Sequence, residues 1–145
     1  MFDTALVILI GLAGGIAVGL QSPLAGALGQ RIGPTASSTI LHLSGLLLSL
    51  FLLWCRGGER IQEWYTAPWY MLAAGCLGVA LFQTINVTLP RLGATAMVTL
   101  IIVGQLLTGV LIDAQGWLGT AARPFDMFRA AGVLLLLAGG WLIVR

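Results

Sequence analysis

The side chains able to do chemistry in this chain are few, mostly uncharged, and set inside long apolar runs. Gln21, Ser22 and Pro23 interrupt the first run, and Ser38, His42, Gly45 and Ser49 interrupt the second. Gln83 and Asn86 follow one helical turn apart, beside Thr84 and Thr88, and Thr99, Gln105 and Thr108 lead on to Asp113. Polar groups at such depth are costly in hydrocarbon, so they face either a protein neighbour or a wet cavity. Ser38, His42, Gly45 and Ser49 recur at spacings of four, three and four, which places them on one helical face. The cavity reading takes Gln21, His42, Gln83, Asn86 and Gln105 as its lining. The plainer reading makes each of them an interhelical hydrogen bond worth under about 1 kcal/mol.

His42 alone changes charge near neutral pH and is the candidate proton carrier; the alternative is a neutral imidazole bonded to a neighbouring hydroxyl such as Ser38. Pro23 lacks a backbone donor and frees the carbonyl of Gly19, so Gly19 and Pro23 form a candidate hinge. No Asp or Glu lies deep in an apolar run, which argues for a neutral, zwitterionic or anionic solute over a simple organic cation. Asp113 reads as a polar stop at a helix end. There is no nucleophile–base pair, no metal cluster and no phosphate loop in the sequence, so neither an enzyme nor a cofactor or metal is expected.

The elements that must position these groups are membrane helices. Charged residues make up 8% of the chain and mean hydropathy is +1.00, against about 25% charged in soluble domains. Twenty residues at about 1.5 Å each cross a hydrocarbon core of roughly 30 Å. Five segments are long enough: 4–28, 35–54, 67–89, 94–112 and 128–144. The expected architecture is an all-α membrane protein, a single transmembrane domain over 1–145 with short loops that leave no room for a soluble catalytic domain. Counting rises from the face where spans one and three end places Gln21 and His42 at about 12 Å depth, Gln83 at about 10 Å, Thr99 at about 9 Å and Gln105 at about 18 Å. Four helices thus offer polar groups at similar depth.

Lysine is absent and seven arginines carry the positive charge; a net charge of +2 gives no footprint for nucleic acid. Arg56, Arg60, Arg123 and Arg129 fall on the face that holds the N-terminus, and Arg31, Arg91 and Arg145 on the other. That balance gives little orientation by the positive-inside rule. Either the N-terminal face is cytoplasmic by a narrow margin, or the chain inserts both ways and pairs head to tail. The inverted repeats of many transporters favour the second. Met1-Phe2-Asp3 lacks the positive start of a cleaved signal peptide. Gly11, Gly15 and Gly19, then Gly75 and Gly78, then Gly104 and Thr108, form small-residue faces suited to close helix packing. Trp54, Trp64, Trp69 and Trp117 read as interface anchors, Cys55 and Cys76 as unpaired structural residues, and Glu59 with Glu63 as one short helical turn.

The order of motifs resembles the YdcZ-like family of small bacterial inner-membrane proteins, placed in the drug/metabolite transporter superfamily. The resemblance runs almost end to end. It is carried by Gly19-Leu20-Gln21, by Leu89-Pro90-Arg91-Leu92-Gly93-Ala94, by Val103-Gly104-Gln105-Leu106, by Leu111-Ile112-Asp113 with Gly116, and by Arg123-Pro124 with Arg129 and Gly132. Two positions depart from it: Leu24-Ala25 stands where an asparagine is usual, and His42 where a phenylalanine is common. The resemblance implies a five-helix unit equal to half of an inverted-repeat transporter, located as a multi-pass protein in the bacterial inner membrane. Such a unit is expected to act as an antiparallel homodimer or with a paired related subunit. The expected function is a secondary transporter, an exporter of small metabolites or drugs by alternating access. The rivals are a non-transporting membrane subunit that stabilises or regulates a partner, and a lipid flippase.

Overall fold

A computed structural model describes residues 4–145; Met1, Phe2 and Asp3, read above for their lack of positive charge, lie outside the described residues. Among the described residues the regular structure is helical throughout. α1 runs Thr4–Ile32 and α2 runs Pro34–Cys55. A 3₁₀ segment at Ile61–Thr66 and the short α3, Trp69–Leu72, precede α4, Gly75–Gln115. A 3₁₀ turn at Trp117–Gly119 leads to α5, Met127–Val144. Four apolar helical stretches are long enough to cross a membrane: Thr4–Ile32, Pro34–Cys55, Trp69–Gln115 and Met127–Val144.

The third stretch has 47 residues, about 70 Å of helix, more than twice the hydrocarbon thickness. It is not uniform. Gly93 leaves helical geometry with φ 78 and ψ 170, a region that costs glycine little and other residues much. The break falls in the interval 90–93 that separates the expected third and fourth spans. The observed limits differ at the ends: α1 extends to Ile32 and α4 to Gln115. Ala73 and Ala74 form a tighter step between α3 and α4, where Cys76 N bonds Ala73 O at 2.9 Å and Leu77 N bonds Ala74 O at 3.0 Å. A positive-φ glycine like Gly93 joins α1 to α2. Gly33, at φ 95, closes a bond from its N–H to the Gly29 carbonyl at 2.8 Å, and Pro34 begins the next helix at once. Glycine just past one helix and proline at the first turn of the next is what backbone sterics favour. Glu59 is no part of a helical turn: its φ is 45, and its carboxylate pairs with Arg56 at 3.2 Å.

The chain divides into two compact units, residues 1–90 and 91–145. In the first, the ends of α1 and α2 pack through small residues. Ser22, Ala25, Gly26 and Gly29 are buried at spacings of three, one and three, and Ser37 and Ser38 are buried on α2. The face expected to pack closely, Gly11, Gly15 and Gly19, lies elsewhere: a Cβ built at any of them meets nothing within 4 Å. Large apolar side chains are exposed along every long helix, among them Ile8, Leu9, Leu47, Phe51, Leu111, Leu134 and Leu135. α1 is apolar on all sides, which only a lipid or a protein neighbour satisfies.

Candidate functional site

In the first unit three of the expected polar residues come together where α1 ends, α2 begins and α4 approaches residue 90. His42 is held by its own helix: Nδ1 lies 2.7 Å from the carbonyl of Ser38 and 3.3 Å from the Ser38 hydroxyl. A carbonyl only accepts, so Nδ1 carries the proton and Nε2 is the nitrogen left with a free lone pair. The imidazole meets the Phe82 ring edge-on, centroids 5.3 Å apart. A Cβ at Gly78 would stand 2.9 Å from Nε2, so the missing side chain at 78 makes room for the ring.

One turn on, Gln83 donates from Nε2 to Thr35 Oγ1 at 3.2 Å, bridging α4 to α2. Asn86 donates from Nδ2 to the Phe82 carbonyl at 2.7 Å. Its Oδ1 is buried without a hydrogen-bond partner and rests on α1, where a Cβ at Gly29 would overlap it. Glycine at 29 is therefore required by a close approach. Ile85 and Leu89 pack against Gly26 on the same face. Two contributors are not visible in the spacing of polar residues. Ser37 donates from Oγ to the Ala25 carbonyl at 2.9 Å in a fully buried bond, and Thr35 serves as the acceptor for Gln83. The signal that could have found Ser37 is the run of small residues opposite it, Ala25 to Gly29.

Gln21 does not join this group: it is exposed on α1, while its neighbour Ser22 is buried and donates to the Val18 carbonyl at 2.8 Å. α1 continues unbroken through Pro23.

Gln105 belongs to the second unit, where it is exposed and lines a cavity of about 640 Å³ between α4 and α5. The wall continues through Leu106, Gly109 and Val110 to Asp113, opposed by Arg129, Gly132 and Leu136. Asp113 is more than a polar stop. Its carboxylate faces the Arg129 guanidinium at 3.6 Å, and its carbonyl accepts from the Arg123 N–H at 2.9 Å. Asp126 caps α5, Oδ1 accepting from the Arg129 N–H at 2.8 Å. Thr99 and Thr108 bond the carbonyls of Thr95 and Gly104 on their own helix, so their hydroxyls take no part in bridging helices. No group of three or more metal-ligating side chains occurs among the described residues.

The family model described as "Putative inner membrane exporter, YdcZ" matches residues 6–142. No curated protein and no solved structure matches the chain. The match covers nearly the whole sequence, and the chain belongs to this family. It is a multi-pass protein of the inner membrane.

Proposed function

From that membership we propose that the chain is a secondary transporter, an exporter of small metabolites or drugs that works by alternating access. The observation that carries the reading is the family match over residues 6–142. The four apolar stretches, five when Trp69–Gln115 is divided at Gly93, would form half of an inverted-repeat transporter completed by an antiparallel second copy or a related subunit. Open space beside Gly11, Gly14, Gly15 and Gly19 supports such a pairing, because small residues let a second helix approach closely in lipid.

The residues proposed to meet solute are His42, Gln83 and Asn86 in the first unit, Gln105 in the second, and Gln21 on the exposed face of α1 that would meet the second subunit. His42 is assigned the proton: Nδ1 is committed to Ser38, and Nε2 is the nitrogen able to take one up. Gly19 and Pro23 form the hinge, since a proline at 23 leaves the Gly19 carbonyl without its helical donor.

The test is solute flux in proteoliposomes holding the whole chain, with labelled neutral, zwitterionic and anionic solutes and an imposed pH gradient. At least one solute should move faster than in empty vesicles, and Gln83→Ala and Gln105→Ala should each cut that flux about tenfold or more, the scale of a lost ~1.4 kcal/mol. His42→Phe should abolish the response to the gradient. A well-assembled protein that moves none of these solutes would overturn the reading in favour of a non-transporting subunit. Reporters active on one side of the membrane only, fused after Arg145, test the pairing. Signal from both orientations is expected, and signal from one alone removes the homodimer.

A further inference from the structure

The groove between α4 and α5 is charged at one end only. From the Asp113–Arg129 pair it runs past Gly109 and Gly132 to Ile102 and Leu136, and these two residues also line a second hollow of about 420 Å³ with Thr99, Val103, Gly139 and Ile143. From Asp113 to Thr99 this is about 21 Å along the helix, longer than one bilayer leaflet of about 15 Å. Beyond the ion pair the walls are apolar apart from Gln105 and Thr99. Thr99 turns its hydroxyl to the Thr95 carbonyl, and Gly109, Gly132 and Gly139 each have open space where a side chain would stand.

We propose that this groove binds a zwitterionic phospholipid of the surrounding bilayer, its acyl chain lying along α5 and its headgroup entering the Asp113–Arg129 pair. Three observations carry this. The first is depth: Asp113 lies two residues before the end of α4 and Arg129 two residues after the start of α5, where helices leave the hydrocarbon. The second is that the pair is loose. At 3.6 Å, with side chains 32% and 40% exposed, it is longer than the roughly 2.7–2.9 Å of a tight charged hydrogen bond. The guanidinium has five donors, so a phosphate can bond Arg129 while an ammonium takes up Asp113. The third is charge balance. An anion alone meets Asp113 and a cation alone meets Arg129, whereas a headgroup carrying both signs satisfies each. The site needs only the membrane location and holds whether or not the lipid is moved.

Native mass spectrometry of the whole chain released from neutral detergent micelles tests it, with three 14-carbon probes: a lysophosphatidylethanolamine, tetradecyl phosphate and tetradecylammonium. The zwitterion should bind saturably, about tenfold or more tighter than either singly charged probe, a difference of about 1.4 kcal/mol. Asp113→Asn should raise tetradecyl phosphate to the level of the zwitterion, and Arg129→Gln should do the same for tetradecylammonium. Gly132→Leu, or Gly109→Leu where the first does not fold, should fill the groove and remove the binding. Equal binding of all three probes, or binding that survives a filled groove, overturns the proposal and leaves only the ordinary lipid annulus. A filled groove that changes the monomer–dimer ratio while lipid binding persists overturns it in favour of a second copy as the occupant.

Discussion

The two units differ in whether polar side chains bridge helices. In residues 1–90 Thr39, Thr84 and Thr88 bond their own helix, yet other polar groups reach across: Ser37 to the Ala25 carbonyl, Gln83 to Thr35, and Asn86 pressed on Gly29. In residues 91–145 the threonines bond their own helix, the facing walls are apolar apart from Gln105 and Thr99, and the Asp113–Arg129 pair stands at the rim. One unit is knit by close approach and the other left open as a groove. Small residues occur in both, so glycine content does not produce the difference. What decides it is whether a large or polar side chain stands opposite the glycine. Asn86 and His42 stand opposite Gly29 and Gly78, while nothing stands opposite Gly109, Gly132 or Gly139.

The largest expected effect lies at the tightest contact. Gly29→Ala drives a methyl onto Asn86 and should destabilise the protein by about 1–3 kcal/mol in denaturant titrations in mixed micelles, the usual range for overpacking. Asn86→Ala in the same chain should recover most of that loss, because the double change removes the collision. A silent Gly29→Ala would mean that the first unit is no tighter than the second. Next, Ser37→Ala should cost about 0.6 kcal/mol by the same titration, typical of a hydrogen bond between membrane helices.

The second unit supplies an internal pair. A Cβ at Gly140 would meet Val103 Cγ2 at 3.2 Å and Thr99 Cγ2 at 3.3 Å, and one at Gly139 meets nothing. Gly140→Ala should lower thermal stability, since both obstacles are γ-methyls of β-branched side chains that are stiff in a helix, and Gly139→Ala should leave it unchanged. Equal losses at both would show that the groove closes in solution. The smallest effect is expected from Asp113→Asn, at about 0–1 kcal/mol and fading as salt rises, as for other exposed ion pairs. A larger loss would make the rim a structural lock and not an open headgroup site.

The sequence read alone determined most of the scaffold. Apolar runs of spanning length and the breaks at Gly33-Pro34 and Gly93 are local properties, because hydropathy, proline and a positive φ act within a few residues. Helical rise converts residue number into depth, so the sequence sets Gln21, His42, Gln83 and Thr99 at similar depth. The partner of each side chain was not legible. Depth says nothing about rotation about the helix axis, and rotation puts Gln21 outside and Ser22 inside. The same ignorance hid the Ser37–Ala25 bond, left open that Gly11, Gly15 and Gly19 meet no helix of their own chain, and reduced Asp113 to a helix stop. Only tertiary structure chose the buried stripe Ser22–Ala25–Gly26–Gly29 and set Arg129 opposite Asp113. On a helix such as α1, apolar on every side, no amphipathic pattern marks which face turns inward, so shape complementarity between helices settles it.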